Sequence, residues 1–216
     1  MHNTVKNLIY IEKFIKSKVN HDKLATIIAV SKTFPIENVL PLIEHGHLHY
    51  GENKVQEAIN KWSDIKLKHN AIKLHLIGRL QTNKVKFALR IFDYIHSVDS
   101  EKLATKISQE LLKQNKKLKL FIQVNIGNED QKSGINKDNL VDFYKFCKNL
   151  DLDIVGTMCI PPNDGNVEKY FSDMNKTNQE LNFKELSMGM SGDYLEAIKN
   201  NATYIRVGSK IFGIRD

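Results

Sequence analysis

The residues of this 216-residue sequence that could do chemistry together are one amine, one guanidinium and two turns of glycine and serine. Lys32 follows the apolar run Ile27–Val30, and Arg206 stands between Ile205 and Val207 in another, Tyr204–Val207. Gly208 and Ser209 come straight after that second run. Ser191 and Gly192 end a third, which begins near Glu185 and leads into a helical stretch, Tyr194–Asn200. A small, hydroxyl-bearing turn that opens a helix offers unpaired backbone N–H groups and the positive end of the helix dipole, so both turns suit a phosphate. An amine that is partly desolvated and surrounded by positive charge is held toward its neutral form and can attack a carbonyl. Together the parts suit a phosphorylated aldehyde held by Schiff-base chemistry at Lys32.

Side chains alternate along a strand, so Arg206 faces the side opposite Ile205 and Val207, and needs a partner there: a ligand, or a carboxylate in a strand-end ion pair. Lys32 shares the face of Ile28 and Val30. The elements that must position these groups repeat along the chain. A leading helix runs over Val5–Lys18, with a polar break at Asn20–Lys23. Strands are then expected at Ile27–Val30, His49–Gly51, Leu74–Ile77, Tyr94–Ser97 and Leu118–Val124, at LDIVGTM, from Glu185, and at Tyr204–Val207. Between them lie helices from Pro35 to near Gly46, Val55–Trp62, Asn83–Arg90, Lys102–Asn115 capped by Ser100, Leu140–Leu150 and Val167–Asn182. Eight alternating βα units predict a (β/α)8 TIM barrel with an additional N-terminal helix, a single domain over 1–216. An open doubly wound sheet is the rival, and no G-x-G-x-x-G follows the first strand to support its dinucleotide-binding form. In such a barrel the strand C-termini form the active mouth, with phosphate held after strands seven and eight, where the two turns fall.

Composition narrows the class. With 41% hydrophobic and 26% charged residues the chain is globular rather than disordered. No apolar run has bilayer length and the start lacks a signal peptide, so a cytoplasmic protein away from membranes is expected. Cys147 and Cys159 have no paired spacing, which argues against a disulfide framework or a zinc ribbon. A net charge of +7 and a pI near 9.2 raise the question of nucleic acid. The lysines are scattered, however, and the densest group, Lys113–Lys119, lies where a helix ends, with no aromatic platform for bases. No nucleic-acid partner is expected. His45, His47 and His49 alternate as metal ligands could, but Gly46 marks a helix end that leaves two of them exposed, and no metal is expected. Met158, Met188 and Met190 read as packing, and Trp62 as core.

Pyridoxal 5'-phosphate fits the parts: Lys32 for the aldehyde, Ser191, Gly208 and Ser209 for the phosphate, Arg206 for the ring nitrogen. A guanidinium can only donate to that nitrogen, which keeps the ring neutral and weakens it as an electron sink. The motifs AVSK (Ala29–Lys32), GENKVQEA (Gly51–Ala58), HLIGRLQTNK (His75–Lys84), HSVDS (His96–Ser100), KSGI (Lys132–Ile135), ELSMGMSGD (Glu185–Asp193) and RVGSKIFGIRD (Arg206–Asp216) resemble the pyridoxal phosphate homeostasis family. Its members look like the barrel domain of alanine racemase standing alone. The resemblance implies that Lys32 carries the cofactor as an internal aldimine, with the phosphate and ring contacts just named. It adds Asn53 and His75 as site-lining residues. Arg79, where relatives have histidine or proline, and Cys159, where they have a small or hydroxyl residue, depart from the pattern in what reads as loop detail. Racemases of this type place a tyrosine from a second domain opposite the lysine, and the sequence ends after its eighth unit. A monomeric carrier in vitamin B6 homeostasis is therefore expected, with no catalytic residues and with apo-enzymes as recipients. A single-domain PLP-dependent amino-acid racemase is the alternative.

Overall fold

The structure, a computed structural model, describes residues 1–19 and 24–213. The polar break Asn20–Lys23 and the end of the last motif lie outside the described residues. Among the described residues nine strands form in chain order: β1 (Thr26–Val30), β2 (His49–Glu52), β3 (Lys73–Leu76), β4 (Tyr94–Val98), β5 (Lys119–Asn125), β6 (Ile135–Asn136), β7 (Ile154–Cys159), β8 (Glu185–Met190) and β9 (Tyr204–Val207). Their order in the sheet is β4-β3-β2-β1-β9-β8-β7-β5-β6, and a further β4–β5 pairing closes it. Every pairing is parallel. The result is a closed barrel of eight strands, with the two-residue β6, which no sequence signal announces, as a flap on β5.

The helices α1 (Asn3–Lys18), α2 (Ile36–Glu44), α3 (Val55–Lys68), α4 (Val85–Ile91), α5 (Glu101–Gln114), α6 (Leu140–Asn149), α7 (Val167–Glu180), α8 (Tyr194–Lys199) and α9 (Ser209–Phe212) surround the barrel. Their ends follow local chemistry. Ser100 accepts the Leu103 amide at the start of α5, and Asn115 closes that helix in the left-handed region with φ 48°. The longest departure from expectation is α3, which continues past Trp62 to Lys68. Ser63 and Asp64 look like a stop, but Ile65 keeps the apolar stripe and packs on the core.

Strand alternation divides the interior in two. Ile27, Ala29, Ile205 and Val207 point out into the large layer between strands and helices, where Trp62 and Phe171 are fully buried. Ile28, Tyr94, Phe121, Met158 and Tyr204 fill the barrel itself. Gly156 of β7 pairs with Glu185 of β8, and an added Cβ would overlap the Glu185 carbonyl oxygen, so only glycine lets these strands meet.

Candidate functional site

Lys32 leaves the end of β1 inside a turn pinned from behind. Ser31 Oγ donates to Glu52 Oε1 at 2.8 Å, and the Ser31 carbonyl accepts from Lys61 Nζ at 2.8 Å. On the other side of Lys32 the Thr33 amide donates to Glu57 Oε1 at 2.6 Å, and Thr33 has φ 68°, a left-handed conformation that such anchoring must hold. Lys61 Nζ lies 2.9 Å from Glu52 and 3.3 Å from Glu57, joining both anchors. Trp62 Nε1 completes the shell of Glu52 Oε1 at 3.0 Å. Burial raises the pKa of Glu52, and Lys61 with the neighbouring donors opposes that rise. For Glu57 burial also pushes upward, but the Thr33 amide and Lys61 prevail and hold it low.

Beside Lys32, on the neighbouring strands β9 and β8, stand the two turns. Ser191 and Gly192 follow β8, and Gly208 and Ser209 open α9; the Gly208 amide donates to Ser191 Oγ at 3.2 Å, so the turns already touch. The amides of Ser209 and Lys210 precede the first α9 bond, from Ile211 N to the Gly208 carbonyl. At the other turn Asp193 Oδ1 reaches back to accept the Met190 amide at the end of β8, at 2.6 Å, and makes no side-chain cap to α8, so a carboxylate lies beside that turn while the amides that open α8 are left to other partners.

Arg206 lies beneath, 4% exposed on the inward face of β9. Among the described residues its protein partners do not include the carboxylate of a strand-end ion pair. Nη1 donates to Ser187 Oγ and Nη2 to the Cys159 carbonyl, both at 2.8 Å. Cys159 is thus the last residue of β7 and a support for Arg206 rather than loop detail. Burial lowers the guanidinium pKa, while Cys159 and Asp193 act the other way.

Lys32, Asn53, Ser191, Arg206, Gly208 and Ser209 line a single cavity of about 510 Å³ at the C-terminal ends of the strands. This is the size of a small-molecule site. Six of the seven residues singled out in the sequence are brought together. His75 is not among them; it is fully buried inside the barrel, one inward position below the lining residue Ile77. Met190, expected as packing, is exposed and lines the mouth, and of His45, His47 and His49 only His45 is exposed, the other two being half-buried. The residues fit a phosphorylated aldehyde: an amine at the end of β1, hydroxyls and backbone amides at the ends of the neighbouring β9 and β8, a donor-only cation at the base. A Cβ added at Gly192 meets nothing within 4 Å, so the mouth is open there.

Sequence reasoning missed Glu52, Glu57 and Lys61, although Glu57 and Lys61 are spaced as a helical pair. It also missed that His49, His75 and His96, one on each of three consecutive strands, all turn inward.

A family model described as the alanine racemase N-terminal domain matches residues 12–216. The chain is 34% identical to a pyridoxal phosphate homeostasis protein of Pasteurella multocida, over 98% of this chain and 97% of that one. Among solved structures it is similar to PipY of Synechococcus elongatus, both without PLP (TM-score 0.88, 31% identity, 98% of this chain and 100% of that one) and with PLP bound (0.85, 31%, 97% and 100%). An alanine racemase of Clostridium difficile shares the fold at 15% identity and a TM-score of 0.74, across 99% of this chain and 57% of that one.

Proposed function

Because the chain belongs to the alanine racemase N-terminal domain family, at high coverage to its pyridoxal phosphate homeostasis members, we propose that it holds pyridoxal 5'-phosphate in this cavity and serves intracellular vitamin B6 homeostasis. One observation carries the reading: the barrel brings the Lys32 amine, the guanidinium of Arg206 and both anion-ready turns around one space. When bound, the cofactor would supply an electrophilic carbonyl and an electron-accepting ring. Lys32 holds the carbonyl carbon covalently. Ser191, Gly208 and Ser209 take the phosphate, with the Gly208 amide released from Ser191 to do so. Arg206 spends one N–H on Ser187 and one on Cys159, and directs its remaining donors at the ring nitrogen. Asn53 lines the wall beside Lys32.

A carrier is favoured over an amino-acid racemase. Racemisation needs a base on each face of Cα. Among the described residues lining the cavity, Lys32 is the one group able to serve, since Arg206 keeps its protons and the rest are Asn53, serines, glycines and apolar side chains. The reading further has the protein acting in the cytoplasm as a single-domain monomer that supplies PLP-dependent apo-enzymes. Its two cysteines, both buried and free, accord with a reducing compartment.

The test is spectroscopic. Protein mixed with PLP is expected to develop a visible absorbance band, and borohydride reduction to leave a pyridoxyl group on Lys32 by mass spectrometry. Lys32→Ala is expected to lose that adduct, and an undiminished adduct in the variant removes Lys32 from its role. Turnover of any amino acid at ordinary enzymatic rates, followed by deuterium incorporation at Cα, overturns the carrier reading.

A further inference from the structure

Three histidines climb the inside of the barrel as a staircase. His49 opens β2 opposite Lys73; His75, two residues further along β3, lies opposite Tyr94; His96 is two residues further along β4. Their rings touch end to end. His49 Nδ1 is 3.0 Å from His75 Nε2, and His75 Nδ1 is 2.9 Å from His96 Nε2. His96 Nδ1 is 2.9 Å from Ser187 Oγ, the oxygen to which Arg206 donates. His75, His96 and Ser187 are fully buried, whereas His49 is half-buried at the far end of the barrel.

Both ring nitrogens of His75 and of His96 are used, so a neutral ring must accept on one side and donate on the other. Burial holds both rings neutral, with a second push from His96 on His75 and from Arg206 on His96. The sense of the chain is set at the guanidinium end. Arg206 can only donate, so Ser187 Oγ accepts from it and turns its own proton to His96 Nδ1. The N–H of His96 then lies on Nε2 and donates to His75, and the N–H of His75 lies on Nε2 and donates to His49 Nδ1. The opposite sense would leave the buried Ser187 proton without an acceptor in the chain, which is costly.

We propose that His49, His75 and His96 are positioning residues: an ordered chain of Nε2–H tautomers that orients Ser187 and Arg206 from the opposite end of the barrel, and that a proton on His49 breaks. Protonated, His49 carries N–H on Nδ1, which faces the N–H of His75, and one link is lost. Burial and Lys73 oppose that protonation while Asp93 favours it. Glu12 and Lys16 of α1 and the neighbouring His47 line the same cavity as His49, and the rings of Tyr94 and Tyr204 cover its other side.

The tautomer order belongs to the protein without ligand, and only its effect on affinity rests on the PLP reading. The test therefore has two arms. Nitrogen-15 NMR of ligand-free protein labelled at histidine is expected to show Nε2–H tautomers for His75 and His96 at neutral pH, and His49→Phe is expected to shift the His96 ring resonances. An Nδ1–H tautomer at either residue, or His96 resonances indifferent to His49→Phe, overturns the chain. In the second arm PLP affinity is expected to fall roughly fivefold as His49 takes up its proton, the weight of one neutral hydrogen bond. His49→Gln is expected to remove that pH dependence; its persistence in the variant overturns the coupling. A protein that binds no PLP at all refutes the proposed function and leaves the first arm to decide the chain.

Discussion

Replacing Lys61 with methionine takes away the ammonium that joins Ser31, Glu52 and Glu57 behind Lys32, and the cost follows from what Glu52 does next. Its side chain is fully buried, and Oε2 has no hydrogen-bond partner among the described residues. Removing one member of a buried pair ordinarily costs about 3–5 kcal/mol. Glu52 has an escape, because it can take up a proton. From the ordinary pKa of 4.5, neutralisation costs about 3.4 kcal/mol at pH 7 and about 1.4 kcal/mol at pH 5.5, and because burial raises Glu52 above that value these are upper bounds. The cheaper route wins, so Lys61→Met is expected to destabilise by up to about 3 kcal/mol at pH 7 and by no more than half that at pH 5.5. Urea unfolding of both proteins at the two pH values measures this. The buried histidines titrate alike in both and cancel in the difference. Adding Glu52→Gln, whose amide oxygen still accepts from Ser31 and Trp62, is expected to recover most of the loss at pH 7. An equal penalty at both pH values would refute the reasoning, since it would mean that Glu52 is not charged in the folded protein.

His75 and His96 are held neutral by burial, while the unfolded chain protonates them near pH 6.5; unfolding therefore takes up protons. Stability is expected to be complete above about pH 6.5 and to fall below it by about 1.4 kcal/mol per pH unit for each ring, with a shallower fall in His96→Asn, as read by chemical denaturation from pH 8 to 5. Gly156→Ala, which must push β8 away from β7, is expected to lower stability by about 1–3 kcal/mol in urea, and wild-type stability in that variant would count against the close approach. Asp193→Asn keeps the acceptor for the Met190 amide but removes a negative charge beside the anion-ready turn. PLP affinity is expected to rise roughly two- to fivefold at low salt, less at high salt, by titration of the absorbance band.

Period and position made much of this legible in the sequence. Strand alternation alone placed Arg206 inward and Ile205 and Val207 outward, and the count of βα units gave the barrel whose mouth collects Lys32, Ser191 and Ser209. What stayed hidden depends on register between elements distant in sequence. Glu52 ends the short strand His49–Glu52 and looks exposed in one dimension; only packing β2 against α3 buries it under Trp62 and brings it to Ser31. Likewise His75 sits in a motif that points to the site, yet one step of inward alternation separates it from Ile77, which reaches the cavity. Asp193 was missed because the amide it accepts belongs to Met190 at the end of β8, and only the folded turn brings the two together.

The barrel is zipped where β1 meets β9, with Ile28 opposite Arg206, and the cavity straddles that seam. Lys32 is therefore made well before Arg206 and the turn that follows it. The cavity is whole only when these distant stretches are stitched together, the long-range step that costs most loop entropy. Occupancy thus gauges completed closure, and any ligand that bridges the seam biases the whole barrel against reopening, by an amount that grows with the logarithm of its concentration.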